Sequence, residues 1–220
     1  MKKIIFIFLF LFFSSCSNSQ VQEKENIEKW NLTQTQKTIL ALGDSLTAWY
    51  WVDLNENYPY LLEQKLWEKS YNYKVINWWI SWDTSDWLKS RASLYLSQNP
   101  DIVIIVIWWN DWLRWLSTEN LKNNILEIVD IFSDWNRKII IWWMDIPANL
   151  GSKYRSDFKN VYHEVSKERK DIYFLDYFLD WVWWIAKYNL NDRIHPNLQW
   201  YEIIVDNLYD FLVKNKILEK

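Results

Sequence analysis

The chain has 220 residues, with 28 acidic and 25 basic side chains, two histidines and a net charge of −3. Less a leader, about 180 to 200 residues remain, the size of one domain with a single core. Acidic and basic residues are well mixed, which argues against both a nucleic-acid surface and a cationic partner and leaves small molecules or lipids as the expected ligands.

At the N-terminus, Met1-Lys2-Lys3 precede an apolar run from Ile4 to Phe13 and then Ser14-Ser15-Cys16. A basic start, an apolar stretch and small residues are the parts of an export signal. The run is too short to span a bilayer as a mature helix. Cys16 is the only cysteine of the chain and stands at the expected cleavage point. Phe13-Ser14-Ser15-Cys16 resembles a bacterial lipobox, whose cysteine is lipidated and becomes the mature N-terminus. A plain secretory signal with a chance cysteine is the alternative, but an unpaired cysteine in an exported chain favours the anchor. Residues 17 to 36 are rich in Ser, Asn, Gln, Glu and Lys, without apolar period, and read as a solvated tether. The expected organisation is a signal over 1–16, a tether over 17–37 and one domain over 38–220, exported and held at a membrane.

From Thr38 onward, apolar β-rich runs alternate with amphipathic stretches. The pattern predicts strands over Thr38–Leu42, Lys74–Asn77, Asp101–Ile107, Lys138–Ile141 and Ile172–Leu175. Between and after them it predicts helices over Tyr58–Lys69, Ser85–Leu96, Thr118–Phe132, Ser152–Arg169 and Leu198–Lys214. Ile102 to Ile107 is continuously apolar and β-branched, as a central parallel strand buried on both faces must be. The expected fold is α/β, three layers around a parallel, flavodoxin-like sheet of about five strands. Ligands of such sheets bind beyond the carboxyl ends of the strands.

One feature of the composition is abnormal. Glycine usually makes up about 7% of a chain, yet this one has 2 glycines and 19 tryptophans. Trp78-Trp79, Trp108-Trp109 and Trp142-Trp143 each follow a strand-like run, Trp181, Trp183 and Trp184 crowd a loop, and Trp200 stands at a helix start. Tight turns at strand ends call for glycine. The tryptophans therefore read as UGA codons that the source organism translates as glycine, as some bacterial lineages do. The alternative is a Trp-rich carbohydrate binder, but stacking platforms need exposed faces rather than paired residues at strand exits.

Polar constellations follow the predicted strands: Gly43-Asp44-Ser45-Leu46 after the first, Ser81-Trp82-Asp83-Thr84 after the second, Trp108-Trp109-Asn110-Asp111 after the third, and Asp192-Arg193-Ile194-His195-Pro196 before the last helix. A serine hydroxyl attacks a carbonyl at neutral pH only with a neighbouring base, itself oriented by a carboxylate. Of the two histidines, His163 lies in an amphipathic helical stretch and reads as solvated or structural, which leaves His195 as the base. Asp192 stands three residues before it, and Pro196 suits the start of the last helix. Taken by itself, that pair is equally a helix cap and a surface histidine.

With tryptophan read as glycine, these four ordered blocks resemble those of the SGNH (GDSL-type) hydrolases. The resemblance runs from Thr38 to about Leu212, and is nearest to the multifunctional periplasmic thioesterase, lysophospholipase and arylesterase branch. Asp111-Trp112-Leu113-Arg114-Trp115 and Ile146-Pro147-Ala148-Asn149-Leu150-Gly151 resemble that branch in particular. The resemblance implies that Ser45 attacks the acyl carbonyl, His195 shuttles the proton and Asp192 orients it. The oxyanion is then held by the backbone N–H of Ser45, the backbone N–H of position 82 and the side-chain amide of Asn110. No metal or cofactor is implied. The expected substrate is a small acyl ester or a lysophospholipid, and Trp82 stands where the family has glycine. Steric overpacking at several such turns, about 1–3 kcal/mol each, predicts poor folding of the literal sequence.

The G-x-S-x-G elbow of α/β-hydrolases, a phosphate cradle and a metal-ligand pattern are all absent from the sequence. The competing functions are O-deacetylation of envelope polysaccharide by the same residues, and a non-catalytic, lipid-anchored binding protein on the same scaffold.

Overall fold

The computed structural model describes residues 36–47, 55–133, 137–146, 151–176, 185–191 and 195–220. Cys16, Trp181, Trp183, Trp184, Asp192 and the stretch 147–150 lie outside the described residues, as do the signal and the tether up to 35. Strand β1 (Lys37–Gly43) begins at Lys37, and Gln36–Lys220 form one unit, so the folded domain starts just ahead of the expected Thr38.

In chain order β1 is followed by α1 (Tyr58–Glu68), β2 (Tyr73–Trp79), α2 (Ser85–Ala92) and β3 (Ile102–Val106). Then come a short α3 (Trp109–Leu113), α4 (Thr118–Phe132), β4 (Lys138–Trp142), α5 (Ser152–Glu168), β5 (Tyr173–Leu175) and α6 (Leu198–Lys214). The five strands are all parallel, in the order β2-β1-β3-β4-β5. Helix α1 packs on α6, whereas α4 packs on both α2 and α5. Right-handed crossovers explain the partition. The chain runs one way across the sheet from β1 to β2 and the other way from β2 through β5, which sends the connecting helices to opposite faces.

Strand β3 is the middle of the sheet, and its five aliphatic side chains are buried throughout. Five consecutive buried positions leave no solvated face, which is why the strand is not amphipathic in sequence. The helices supply the other layers with one apolar stripe each, Leu121, Ile125, Ile128, Val129 and Phe132 in α4, for example. Their starts are capped by side chains: Asn57 accepts the Tyr60 N–H at 2.9 Å, and Asn197 accepts the Trp200 N–H at 3.2 Å.

Several boundaries differ from the sequence expectation. Strand β2 continues through Trp78 and Trp79, and β4 includes Trp142, so these tryptophans sit inside strands rather than in the turns that follow. The helix expected over Ser85–Leu96 is α-helical only to Ala92 and tightens to a 3-10 turn over Ser93–Gln98. Pro196 does not start α6. It forms an antiparallel bridge with Asn189, and Asn197 is the cap.

Candidate active site

The order of the sheet reverses between β1 and β3, and the carboxyl ends of these neighbours open the crevice in which doubly wound sheets bind ligands. Strand β1 ends at Gly43, where a side chain is sterically excluded. A Cβ there would sit 2.7 Å from the Val106 carbonyl oxygen and 1.9 Å from Thr47 Oγ1. The chain then turns through Asp44 and Ser45, closed by the Thr47 N–H on the Asp44 carbonyl at 3.0 Å. This leaves Ser45 half-buried at the strand end.

His195 reaches that serine from the far end of the sequence. Its Nε2 lies 3.0 Å from Ser45 Oγ, across 150 residues of chain. The histidine is carried on a short two-stranded loop: the Leu190 N–H donates to the His195 carbonyl at 2.8 Å and the Asn197 N–H to the Tyr188 carbonyl at 3.0 Å. Asn197 Nδ2 also donates to the Lys187 carbonyl at 2.7 Å, so His195 and the residues that follow it are tied to the 185–190 segment. His163, by contrast, is exposed on α5.

The end of β2 is joined to β1 by the Ile80 N–H on the Gly43 carbonyl at 3.2 Å, and the Asp83 N–H closes a turn on the Ile80 carbonyl at 3.1 Å. Trp82 is the third residue of that turn and has φ +67°, the left-handed setting that favours glycine there. Its indole is mostly solvent-exposed, and its carbonyl accepts from Arg114 Nη2 at 2.9 Å. Trp115 is a second such position, at φ +52°. The Trp115 N–H bonds the Trp112 carbonyl and the Leu116 N–H bonds the Asp111 carbonyl, at 3.0 and 2.9 Å, a Schellman ending of α3 whose C′ residue is usually glycine. Trp108 differs from the expectation: its φ of −179° is extended backbone, open to any residue. Its indole is buried, packs edge-on against Tyr162 at 5.3 Å, and leaves its N–H without a hydrogen-bond partner among the described residues.

Asn110, on the first turn of α3, is buried. Its Nδ2 lies 3.1 Å from Asp44 Oδ2 and 2.9 Å from the Asp83 carbonyl, so it links the blocks that follow β1, β2 and β3. Next to it, Asp111 accepts the Ser85 N–H at 2.8 Å and the Ser85 hydroxyl at 2.6 Å, and Asn124 donates to that hydroxyl at 3.0 Å. Asp83 is paired with Arg91, whose Nε lies 2.9 Å from Asp83 Oδ2. Burial raises the carboxyls of all three acids above the ordinary value. Asp44 is pushed up to about 7, mainly by loss of water and further by Asp111 and Asp83, against the Leu46 N–H. Asp111 is pushed up to about 6 against its Ser85 hydrogen bonds, and Asp83 rises despite Arg91.

The structure thus brings Ser45 and His195 into contact and places Asn110 and position 82 on the segments bonded to the turn that carries Ser45. Asp192 lies outside the described residues. Sequence reasoning did not single out Asp44, Asp83 or Asp111 for a role: Asp44 meets Asn110 and Asp111 meets Ser85 only across the fold, and the Asp83–Arg91 pair carries no motif. Among the described residues, no group of three or more His, Cys, Asp and Glu side chains is arranged to hold a metal ion. No helix among them is long and apolar enough to cross a membrane.

Residues 41–203 match the GDSL-like lipase/acylhydrolase family. An arylesterase of Vibrio mimicus is 28% identical over 184 residues, 83% of this chain and 92% of its own. Thioesterase 1/protease 1/lysophospholipase L1 of Escherichia coli K12 is 31% identical over 170 residues, 77% of this chain and 80% of its own. Among solved structures, the psychrotrophic esterase EstA from Pseudoalteromonas sp., inhibited by monoethylphosphonate, superposes with a TM-score of 0.76 at 27% identity, covering 81% of this chain and 98% of the other. With this match over most of its length and a serine–histidine pair at the switch point of its sheet, the chain belongs to the GDSL-like lipase/acylhydrolase family, the SGNH hydrolases, and is a carboxylic ester hydrolase.

Proposed function

We propose that the protein hydrolyses carboxylic esters or thioesters of acyl lipids, or aryl esters, through an acyl-enzyme on Ser45. The observation that carries this reading is the 3.0 Å approach of His195 Nε2 to Ser45 Oγ. At that distance the imidazole takes the hydroxyl proton as the oxygen attacks the acyl carbonyl, then returns it to the departing alcohol or thiol. Water, deprotonated by the same imidazole, releases the acid. Asp192, three residues before His195, is the proposed partner that fixes its tautomer. The oxyanion is received by the backbone N–H groups of Ser45 and position 82 and by the Asn110 amide, a donor set in which each member is worth about 3–4 kcal/mol. The arylesterase and lysophospholipase names of the relatives support the substrate class. The same reading places the chain outside the cytoplasm, held at a membrane surface by a lipid on Cys16.

The reading of tryptophan as recoded glycine belongs to the same proposal. It is supported by Trp82 and Trp115, which occupy the left-handed backbone of a turn and of a helix C′ position, and by the buried indole N–H of Trp108, which has no hydrogen-bond partner among the described residues. It receives no support from Trp78, Trp79 and Trp142, which occupy ordinary strand positions.

The test is expression from about Lys29 onward with glycine encoded at all 19 tryptophan positions, beside its Ser45→Ala counterpart, assayed on p-nitrophenyl esters of short and medium acyl chains. Hydrolysis and fluorophosphonate labelling that both vanish in Ser45→Ala are expected. A folded protein that neither hydrolyses nor labels defeats the esterase reading and leaves a binding protein on the same scaffold. Peptide mass spectrometry of the native protein decides the recoding: glycine is expected at 82, 108, 109 and 115, and tryptophan there refutes it.

A further inference from the structure

Asp44 precedes the nucleophile and has no part in the proton transfers above, yet it is almost fully enclosed at the site. Its residue is 1% exposed, and both carboxylate oxygens are in use. Oδ1 accepts the Leu46 N–H at 3.0 Å, a bond that arches over Ser45 and, with the Thr47 N–H on the Asp44 carbonyl, fixes the direction in which Ser45 leaves the backbone. Oδ2 accepts Asn110 Nδ2 at 3.1 Å. Asp83 from the loop after β2 and Asp111 from α3 act on it, and Tyr58 from α1 feels its charge. None of them is a cation. A buried carboxylate without a cation is costly, and a neutral side chain would serve a purely structural turn at less cost.

We propose that Asp44 is a positioning residue for ester hydrolysis, its single carboxylate joining the nucleophile turn to the Asn110 side chain and so setting the oxyanion donor against Ser45. The inference rests on the reading of Ser45 as nucleophile and Asn110 as oxyanion donor. Asn110 holds two acceptors, the Asp44 carboxylate and the Asp83 carbonyl. In its ionised form the Asp44 carboxylate makes the stronger bond. It remains as the pivot, and the N–H directed at the neutral Asp83 carbonyl turns to the oxyanion as charge develops there. An amide at position 44 cannot replace the carboxylate. It has one acceptor oxygen for two donors, and its own NH2 faces the N–H of Leu46 or of Asn110.

The experiment is a double-mutant cycle in the full chain with Asp44→Asn, Asn110→Ala, the double variant and Ser45→Ala, each checked for folding by circular dichroism. Steady-state kinetics on one activated ester are the readout. Asn110→Ala alone is expected to lower kcat by about 10²–10³. Asp44→Asn is expected to lower kcat by about ten- to a hundredfold with KM within about threefold, and by less than about threefold in the Asn110→Ala background, because nothing is then left to position. Equal losses in both backgrounds, or no loss, overturn the proposal while leaving the esterase reading intact. Hydrolysis that survives Ser45→Ala overturns the reading and the proposal with it. If Asp44→Asn fails to fold, Asp44→Ser, a smaller side chain with one acceptor, completes the same cycle.

Discussion

Position 82 offers a test of the backbone whose sign depends on φ alone. Trp82→Ala and Trp82→Gly remove the same indole, already 58% exposed, and differ from each other by one methyl group. At φ +67° that methyl carries the left-handed penalty of an L-residue, about 1–2 kcal/mol. Against it stands the greater freedom of glycine in the unfolded chain, worth about 0.5–1 kcal/mol. Trp82→Gly is therefore expected to exceed Trp82→Ala in stability by about 0.5–1 kcal/mol. Trp87 is the control, 55% exposed and inside α2, where Gly falls below Ala by about 1 kcal/mol. Urea unfolding midpoints with an unchanged slope measure both pairs, and the Gly-minus-Ala difference must change sign between the two positions. A glycine variant less stable than alanine at 82 refutes the argument from backbone geometry, and with it the strongest structural support for recoded glycine.

Gly43→Ala is expected to lose at least about 1–3 kcal/mol and most of the activity, since the added Cβ lies 2.7 Å from the rigid Val106 carbonyl at the nucleophile turn; thermal melting and ester hydrolysis measure the two losses. Ser85→Ala removes the hydroxyl that donates to Asp111 and accepts from Asn124, and is expected to cost about 1–3 kcal/mol while raising the Asp111 carboxyl further, which carbon-detected NMR titration reads. Asp44, at about 7 in the folded protein against an ordinary 3.8, keeps a proton that the unfolded chain has lost. Its contribution to stability is thus full below about pH 4 and falls by about 1.4 kcal/mol per pH unit up to its folded pKa. Asp111 acts in the same direction up to about 6, whereas the depressed Glu219 acts in the opposite one at lower pH. The difference between wild type and Asp44→Asn isolates the first effect: the variant is expected to lose less stability between pH 4 and 7, and parallel curves contradict it.

What the sequence discloses of this site follows the range of the forces involved. The run of aliphatic residues in β3 and the apolar stripes of the helices are local, periodic signals, and they yield the layers and the strand order's raw material directly. Ser45 and His195 are visible as motif residues although 150 residues separate them. Helix α3 is too short, at five residues, to show a period. The strand ends at Trp78, Trp79 and Trp142 were misplaced because tryptophan was read through glycine's turn preference, while the backbone there is ordinary strand. Proline suits a helix start, yet Pro196 stands in an antiparallel bridge with Asn189, seven residues earlier, a pairing that proline's helix preference does not carry.

The role of Asp44 is hidden for a related reason, and the topology explains why it exists at all. Its partner Asn110 is 66 residues away, and the two meet only because β1 and β3 are neighbours although β2 lies between them in sequence. At such a reversal the crossovers on either side leave by opposite faces, so no connecting segment fills the gap between the two strand ends. Polar groups left there face either water or one another. A carboxylate offers the donor from each strand end an oxygen of its own, which an amide of the same size does not. On the proposed reading, the gap beside Ser45 is therefore also the place where an acid holds the two walls in register, and the cost of burying that acid is the raised Asp44 carboxyl.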